Sequence, residues 1–118
     1  MLQVRVPDVA KLRSGQARKF AFERDGEACE GFVLRRGPDL FAYNNRCPHW
    51  RVDLDMGEGR FYSALTDRIF CSSHGALFVP STGYCDAGPC VGDQLERFEL
   101  ELVGDDAVIT ISATAGWS

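Results

Sequence analysis

Cys47-Pro48-His49 and, after 21 more residues (50–70), Cys71-Ser72-Ser73-His74-Gly75-Ala76-Leu77-Phe78 set the reading of this 118-residue chain. Each cluster offers one thiolate and one imidazole within a few residues. Together they hold both histidines of the protein and two of its five cysteines. Soft thiolates combined with imidazoles select zinc, copper or iron–sulfur.

The pairing within each cluster narrows that choice. A zinc finger commonly pairs Cys with Cys and His with His. Here each short motif is mixed, so two loops each reach toward two different atoms. A two-iron, two-sulfide cluster accounts for that directly, with one iron on two thiolates and the other on two imidazoles. On this reading Cys47 and Cys71 bind the inner iron, and His49 and His74 bind the outer one. A structural zinc domain for protein interaction stays open as the reading from another class.

Elsewhere the chain carries strand patterns and little helical periodicity. Residues 17–23 alternate, with Phe20 and Phe22 on one face, and Asp25-Gly26-Glu27 is a turn signal. Cys29 to Arg35 and Leu40 to Asn44 follow as strands, separated by Gly37-Pro38-Asp39. Residues 51–61 read as a loop. Residues 64–68 read as a hairpin turn that feeds Ile69-Phe70-Cys71, and residues 76–79 as a short strand. Pro80-Ser81-Thr82-Gly83 is a turn, and Gly88-Pro89 opens another loop. Residues 95–103 and 107–111 alternate around Gly104-Asp105-Asp106 as a hairpin. Residues 7–12 allow one helical turn, and the tail from 113 is expected to fray. Phe20, Phe22, Phe32, Phe41, Phe98 and Cys29 are expected in the core.

Composition bounds the function. A chain of this length defaults to one domain, 1–118, and a bound cluster would staple its modest core. Net charge is −4 and no basic stripe appears, so nucleic acid and anionic membranes are excluded as expected partners. No apolar run approaches the length of a bilayer span, and the N-terminus has no apolar signal region. The expected location is the cytoplasm. Five cysteines are too few, and odd in number, for a disulfide scaffold.

Cys47-Pro48-His49, Cys71 through Phe78, Thr82-Gly83 and Gly88-Pro89, in this order and spacing, resemble a Rieske iron–sulfur domain. The resemblance covers about 45 residues in the middle of the chain. It implies an all-β fold: a Rieske-like antiparallel sandwich or barrel base with a small loop-rich cluster-binding subdomain at about residues 45–90. It implies a [2Fe–2S] cofactor on Cys47, His49, Cys71 and His74, covered by the loop at Gly88-Pro89. Gly75 permits close approach of backbone to the cluster, and Pro48 and Pro89 stiffen their loops.

Within the family, high-potential respiratory members carry an extra disulfide between the two cluster loops; Val52 and Ser73 stand at those positions here. They also place hydroxyl donors where this chain has Ala76 and Phe78. The resemblance therefore implies a low potential, toward roughly −150 mV. It is closest in kind to soluble Rieske-type ferredoxins, which carry single electrons to oxygenases or reductases. Protein redox partners follow, and no catalysis by this chain, because no histidine is left for a mononuclear iron site. An accessory or regulatory subunit of a larger reductase, such as nitrite reductase, is the second reading.

Ser73 stands where ferredoxin-type members often have an aromatic residue. Cys85 and Cys90 flank the cover loop and are expected as buried thiols, with a local disulfide as the alternative. Trp50, Arg46 and Arg51 border the first cluster as packing, docking or solvated residues.

Overall fold

The computed structural model describes residues 2–48, 52–57, 59–72 and 75–112. His49, Trp50, Arg51, Ser73, His74 and the tail from 113 lie outside the described residues.

The first strands are β1 (Leu2–Val6), β2 (Ala17–Arg24), β3 (Glu27–Arg36) and β4 (Asp39–Asn44). Four short ones follow: β5 (Tyr62–Ser63), β6 (Arg68–Phe70), β7 (Leu77–Phe78) and β8 (Cys85–Ala87). The chain returns through β9 (Arg97–Val103) and β10 (Asp106–Ile111). A single 3-10 turn at Val9–Lys11 joins β1 to β2. All strand pairings are antiparallel, in a six-stranded sheet ordered β1-β10-β9-β4-β3-β2 and a four-stranded sheet ordered β5-β6-β7-β8. This is the all-β base with an inserted loop-rich segment that the sequence implies.

The six-stranded sheet curls until its two edge strands approach. Arg18 Nη1 on β2 donates to the Pro7 carbonyl just after β1 at 2.6 Å. Inside the curl Val6, Val9, Phe20, Phe22, Val33, Phe98, Ile109 and Ile111 form one buried group. Phe22 and Phe98 meet edge to face at 5.6 Å, a preferred aromatic geometry.

β3 and β4 explain how a second layer is carried. Side chains alternate between faces along a strand. Val33 and Ala42 point into the base core, while Phe32, Leu34 and Tyr43 point to the other side. There they meet Leu54, Phe61, Ile69 and Phe78 from the inserted segment, and Leu95 just before β9. Phe32 stacks on Phe61 with ring centroids 4.1 Å apart. The Tyr43 hydroxyl donates to the Pro80 carbonyl at 2.6 Å, and burial pushes its pKa up to about 12 against the opposing effect of Arg97.

Three expectations are adjusted. β1 and β8 were not foreseen: β1 pairs along its whole length with β10, and β8 adds to β7. Cys29 and Phe41 are half-buried, Cys29 packing at the margin of the base core and Phe41 lying under the Arg97 guanidinium at 5.5 Å. The strand expected from residue 95 starts at Arg97, because Leu95 turns inward and its N–H is taken by the Gly83 carbonyl.

Candidate metal centre

Cys47 and Cys71 come from loops far apart in sequence and end in the same buried apolar group, with 0% and 1% of their surfaces exposed. The first loop leaves β4 at Asn44. Its turn is closed by the Cys47 N–H donating to the Val52 carbonyl at 2.8 Å. The second loop leaves β6 at Phe70. There the Cys71 N–H donates to the Ala76 carbonyl at 2.9 Å, and the Gly75 N–H returns to the Cys71 carbonyl at 3.0 Å. Gly75 makes this tight return with φ of +72°, a region that glycine enters without steric cost. The Ser72 N–H donates to the Leu54 carbonyl at 2.8 Å and ties the two loops together.

A polar anchor beneath the first loop was not singled out from the sequence. The Asn45 side chain accepts from the Leu54 N–H at 2.9 Å and donates to Asp55 at 3.0 Å. The Asp55 side chain is fully buried and also receives Lys19 Nζ at 3.0 Å and the Gly59 N–H at 2.9 Å. Burial alone would raise the Asp55 acid; hydrogen bonds from Asn45, Lys19 and the Gly59 and Gly57 N–H groups outweigh it and hold the pKa below its ordinary value. Glu30, Asp53 and Asp55 bring carboxylates together here, and the Lys19 ammonium supplies their positive charge. The available signal was the pair of asparagines just before Cys47 with acidic residues at 53 and 55, a spacing that fits a side-chain-braced turn.

The third loop runs from β8 through Gly88-Pro89 to Cys90. Gly88 has φ of +94°, and a Cβ there would stand 2.7 Å from Ala76 Cα. The backbone of this loop therefore lies directly on the second cysteine loop, and only glycine fits. Cys85 and Cys90 are buried thiols at its base. Burial, reinforced by the adjacent Cys85, raises the Cys90 pKa well above the ordinary thiol range.

Two cysteines buried among apolar side chains, on loops braced against each other, match the chemistry of an iron–sulfur group. Bound iron would neutralise thiolates that could not otherwise stay charged in such surroundings. Of the four expected ligands, the structure brings Cys47 and Cys71 together; His49 and His74 lie outside the described residues. Among the described residues, no helix is long and apolar enough to cross a membrane.

The Rieske [2Fe-2S] domain model matches residues 3–108. Among solved structures, the ferredoxin of carbazole 1,9a-dioxygenase from Nocardioides aromaticivorans IC177 is 29% identical, with a TM-score of 0.71 over 95% of this chain and 100% of that one. A complex of reduced oxygenase and oxidised ferredoxin in carbazole 1,9a-dioxygenase matches at 26% identity and a TM-score of 0.68, over 91% of each chain. A carbazole-bound oxygenase and ferredoxin complex, 17% identical over 91% of this chain and 27% of that one, shares the fold with a TM-score of 0.69. No curated protein matches the chain. With all but its ends matched by the family model, on an antiparallel fold that buries Cys47 and Cys71 in one apolar group, the chain belongs to the Rieske [2Fe-2S] domain family, whose cofactor is a [2Fe–2S] cluster.

Proposed function

We propose that this protein is a one-electron carrier that delivers electrons to an oxygenase and performs no catalysis of its own. The observation that supports this most is the end-to-end likeness to a dioxygenase ferredoxin, 95% of one chain on 100% of the other. Cys47 and Cys71 would hold the inner iron, and His49 and His74 the outer. When bound, the cluster accepts and releases a single electron.

The chain's own contribution is a dry and stiff setting. Cys47 and Cys71 are shut from solvent, which limits the polar reorganisation that accompanies a change of charge. The Asn45–Asp55–Lys19 anchor and the Ser72-to-Leu54 bond keep the loops from shifting when that charge changes. Ala76 and Phe78, both fully buried, carry no hydroxyl to stabilise the more negative reduced state. A potential near the low end of the family range, roughly −150 mV, follows.

The reading is tested by mixing chemically reduced holoprotein with an oxidised Rieske-type oxygenase and following the visible spectrum. Rapid reoxidation of this protein, with matching reduction of the oxygenase, is expected. No transfer to the oxygenase, with stoichiometric co-purification alongside a nitrite reductase, would instead assign the accessory-subunit role.

A further inference from the structure

Cys85 and Cys90 lie outside the expected ligand set, yet their sulfurs lie 2.7 Å apart in the same buried group as Cys47 and Cys71. A disulfide bond is about 2.05 Å, so the two sulfurs are only about 0.7 Å from bonding distance. Disulfides that fail do so mostly because the backbone must distort to close them. Here the backbone is already closed. The Cys85 N–H donates to the Asp93 carbonyl at 2.8 Å, and the Asp93 N–H to the Cys90 carbonyl at 2.9 Å. The Gly92 N–H reaches the Cys85 carbonyl at 3.4 Å. Both thiols are buried, and the Cys85 thiol also donates to the Ala87 carbonyl at 3.3 Å.

We propose that Cys85 and Cys90 are a dithiol that a peroxide converts to a disulfide, fixing the shape of the cover loop that packs on the second cysteine loop. One sulfur attacks hydrogen peroxide as its thiolate, its proton passing to the departing hydroxide; the O–O bond breaks, releasing one water and leaving a sulfenic acid. The second thiol then attacks that sulfur; the S–S bond forms, the S–O bond breaks and a second water leaves. Two thiols lose two electrons in all, and one peroxide gains them. The bridge differs in position from one joining the two cysteine loops, because both its sulfurs belong to the segment around Gly88-Pro89. Since the Gly88 backbone rests against Ala76, locking this segment restrains the loop that carries Cys71.

The test uses holoprotein treated anaerobically with one equivalent of hydrogen peroxide, then denatured, alkylated and digested with trypsin. The peptide spanning residues 69–97 contains Cys71, Cys85 and Cys90. Loss of two hydrogens from this peptide, with alkylation of Cys71 alone, is expected. Full alkylation of Cys85 and Cys90 after treatment, or their conversion to sulfinic acids, would overturn the proposal. In the Cys85→Ser variant the loss should disappear; its persistence would show a different pairing and equally overturn it. Should that variant fail to fold, Cys90→Ala serves the same purpose. Iron release to a chelator should be about tenfold slower in the bridged protein; equal rates would overturn this restraint. The peptide mass does not depend on the electron acceptor, so this outcome is separate from that of the carrier role.

Discussion

The Ser72 N–H donates to the Leu54 carbonyl at 2.8 Å, so the second cysteine loop hangs on the first. Leu54 itself is fully buried, packed with Cys47 and Cys71 in one apolar group. One residue of the first loop therefore holds the second by its backbone and adds its side chain to the apolar group that buries both cysteines. Leu54→Ala should lower stability by about 2–5 kcal/mol, the range for emptying a buried leucine site. Thermal denaturation followed by cluster absorbance checks this. A midpoint unchanged from the parent would mean that the loops are held by something else.

A buried ion pair fastens the return strand to the base. Arg24 Nη1 and Nη2 each donate to Glu96 at 2.8 Å, and Asn44 Nδ2 donates to the same carboxylate at 3.1 Å. Removing Glu96 alone strands a guanidinium that is only 7% exposed. Glu96→Ala should therefore cost about 3–5 kcal/mol, while replacing Arg24 and Glu96 together with apolar residues should recover most of that loss. Urea denaturation of the two variants distinguishes a stranded charge from a simple lost contact.

Acid should unfold the protein through a few identifiable carboxylates. Asp67 is held low by Arg36 and Tyr62, and Asp106 by the Asp8 N–H and Arg5. Asp55 is held low by its hydrogen bonds despite burial. A depressed folded pKa contributes stability that is complete above the unfolded value of about 3.9 and is lost as pH falls through the folded value. Stability should be flat from neutrality to about pH 5 and fall below about pH 4. Asp55→Asn should be less stable at neutral pH and should show a shallower acid slope. An unaltered slope, measured by urea midpoints across that range, would remove Asp55 from the account.

The potential should respond to a hydroxyl at position 76. Ala76 is fully buried, and its carbonyl is bonded to the Cys71 N–H. A serine there could donate to the reduced cluster. One hydrogen bond made about 1.4 kcal/mol stronger on reduction corresponds to about 60 mV for one electron. Ala76→Ser should raise the midpoint potential by about that amount in a redox titration. A lower potential would contradict the hydroxyl argument.

Much of this was legible because it rests on local chemistry. The Asp25-Gly26 turn between β2 and β3 and the Gly104-Asp105 turn between β9 and β10 mark hairpins by residue type alone. The mixed Cys/His motifs pointed by donor chemistry to the [2Fe–2S] cofactor of the family. What stayed hidden depends on partners distant in sequence. Leu2-Gln3-Val4-Arg5-Val6 alternates, yet nothing local reveals that it closes the sheet against β10 at the other end of the chain. The contiguous run Phe32-Val33-Leu34 conceals a strand buried on both faces, since a second layer can be seen only once the insert folds back. Asp55 looked like one of several loop charges until Lys19, from β2, was found beneath it.

The central claim is the ligand set: two thiolates from Cys47 and Cys71, two imidazoles from His49 and His74. Electron paramagnetic resonance of the reduced protein, with resolved nitrogen hyperfine couplings, tests it most directly. The account predicts a rhombic signal coupled to two imidazole nitrogens, and loss of that signal in His74→Ala. A reduced cluster with no nitrogen coupling, a native spectrum surviving in His74→Ala, or a colourless protein with stoichiometric zinc would contradict it.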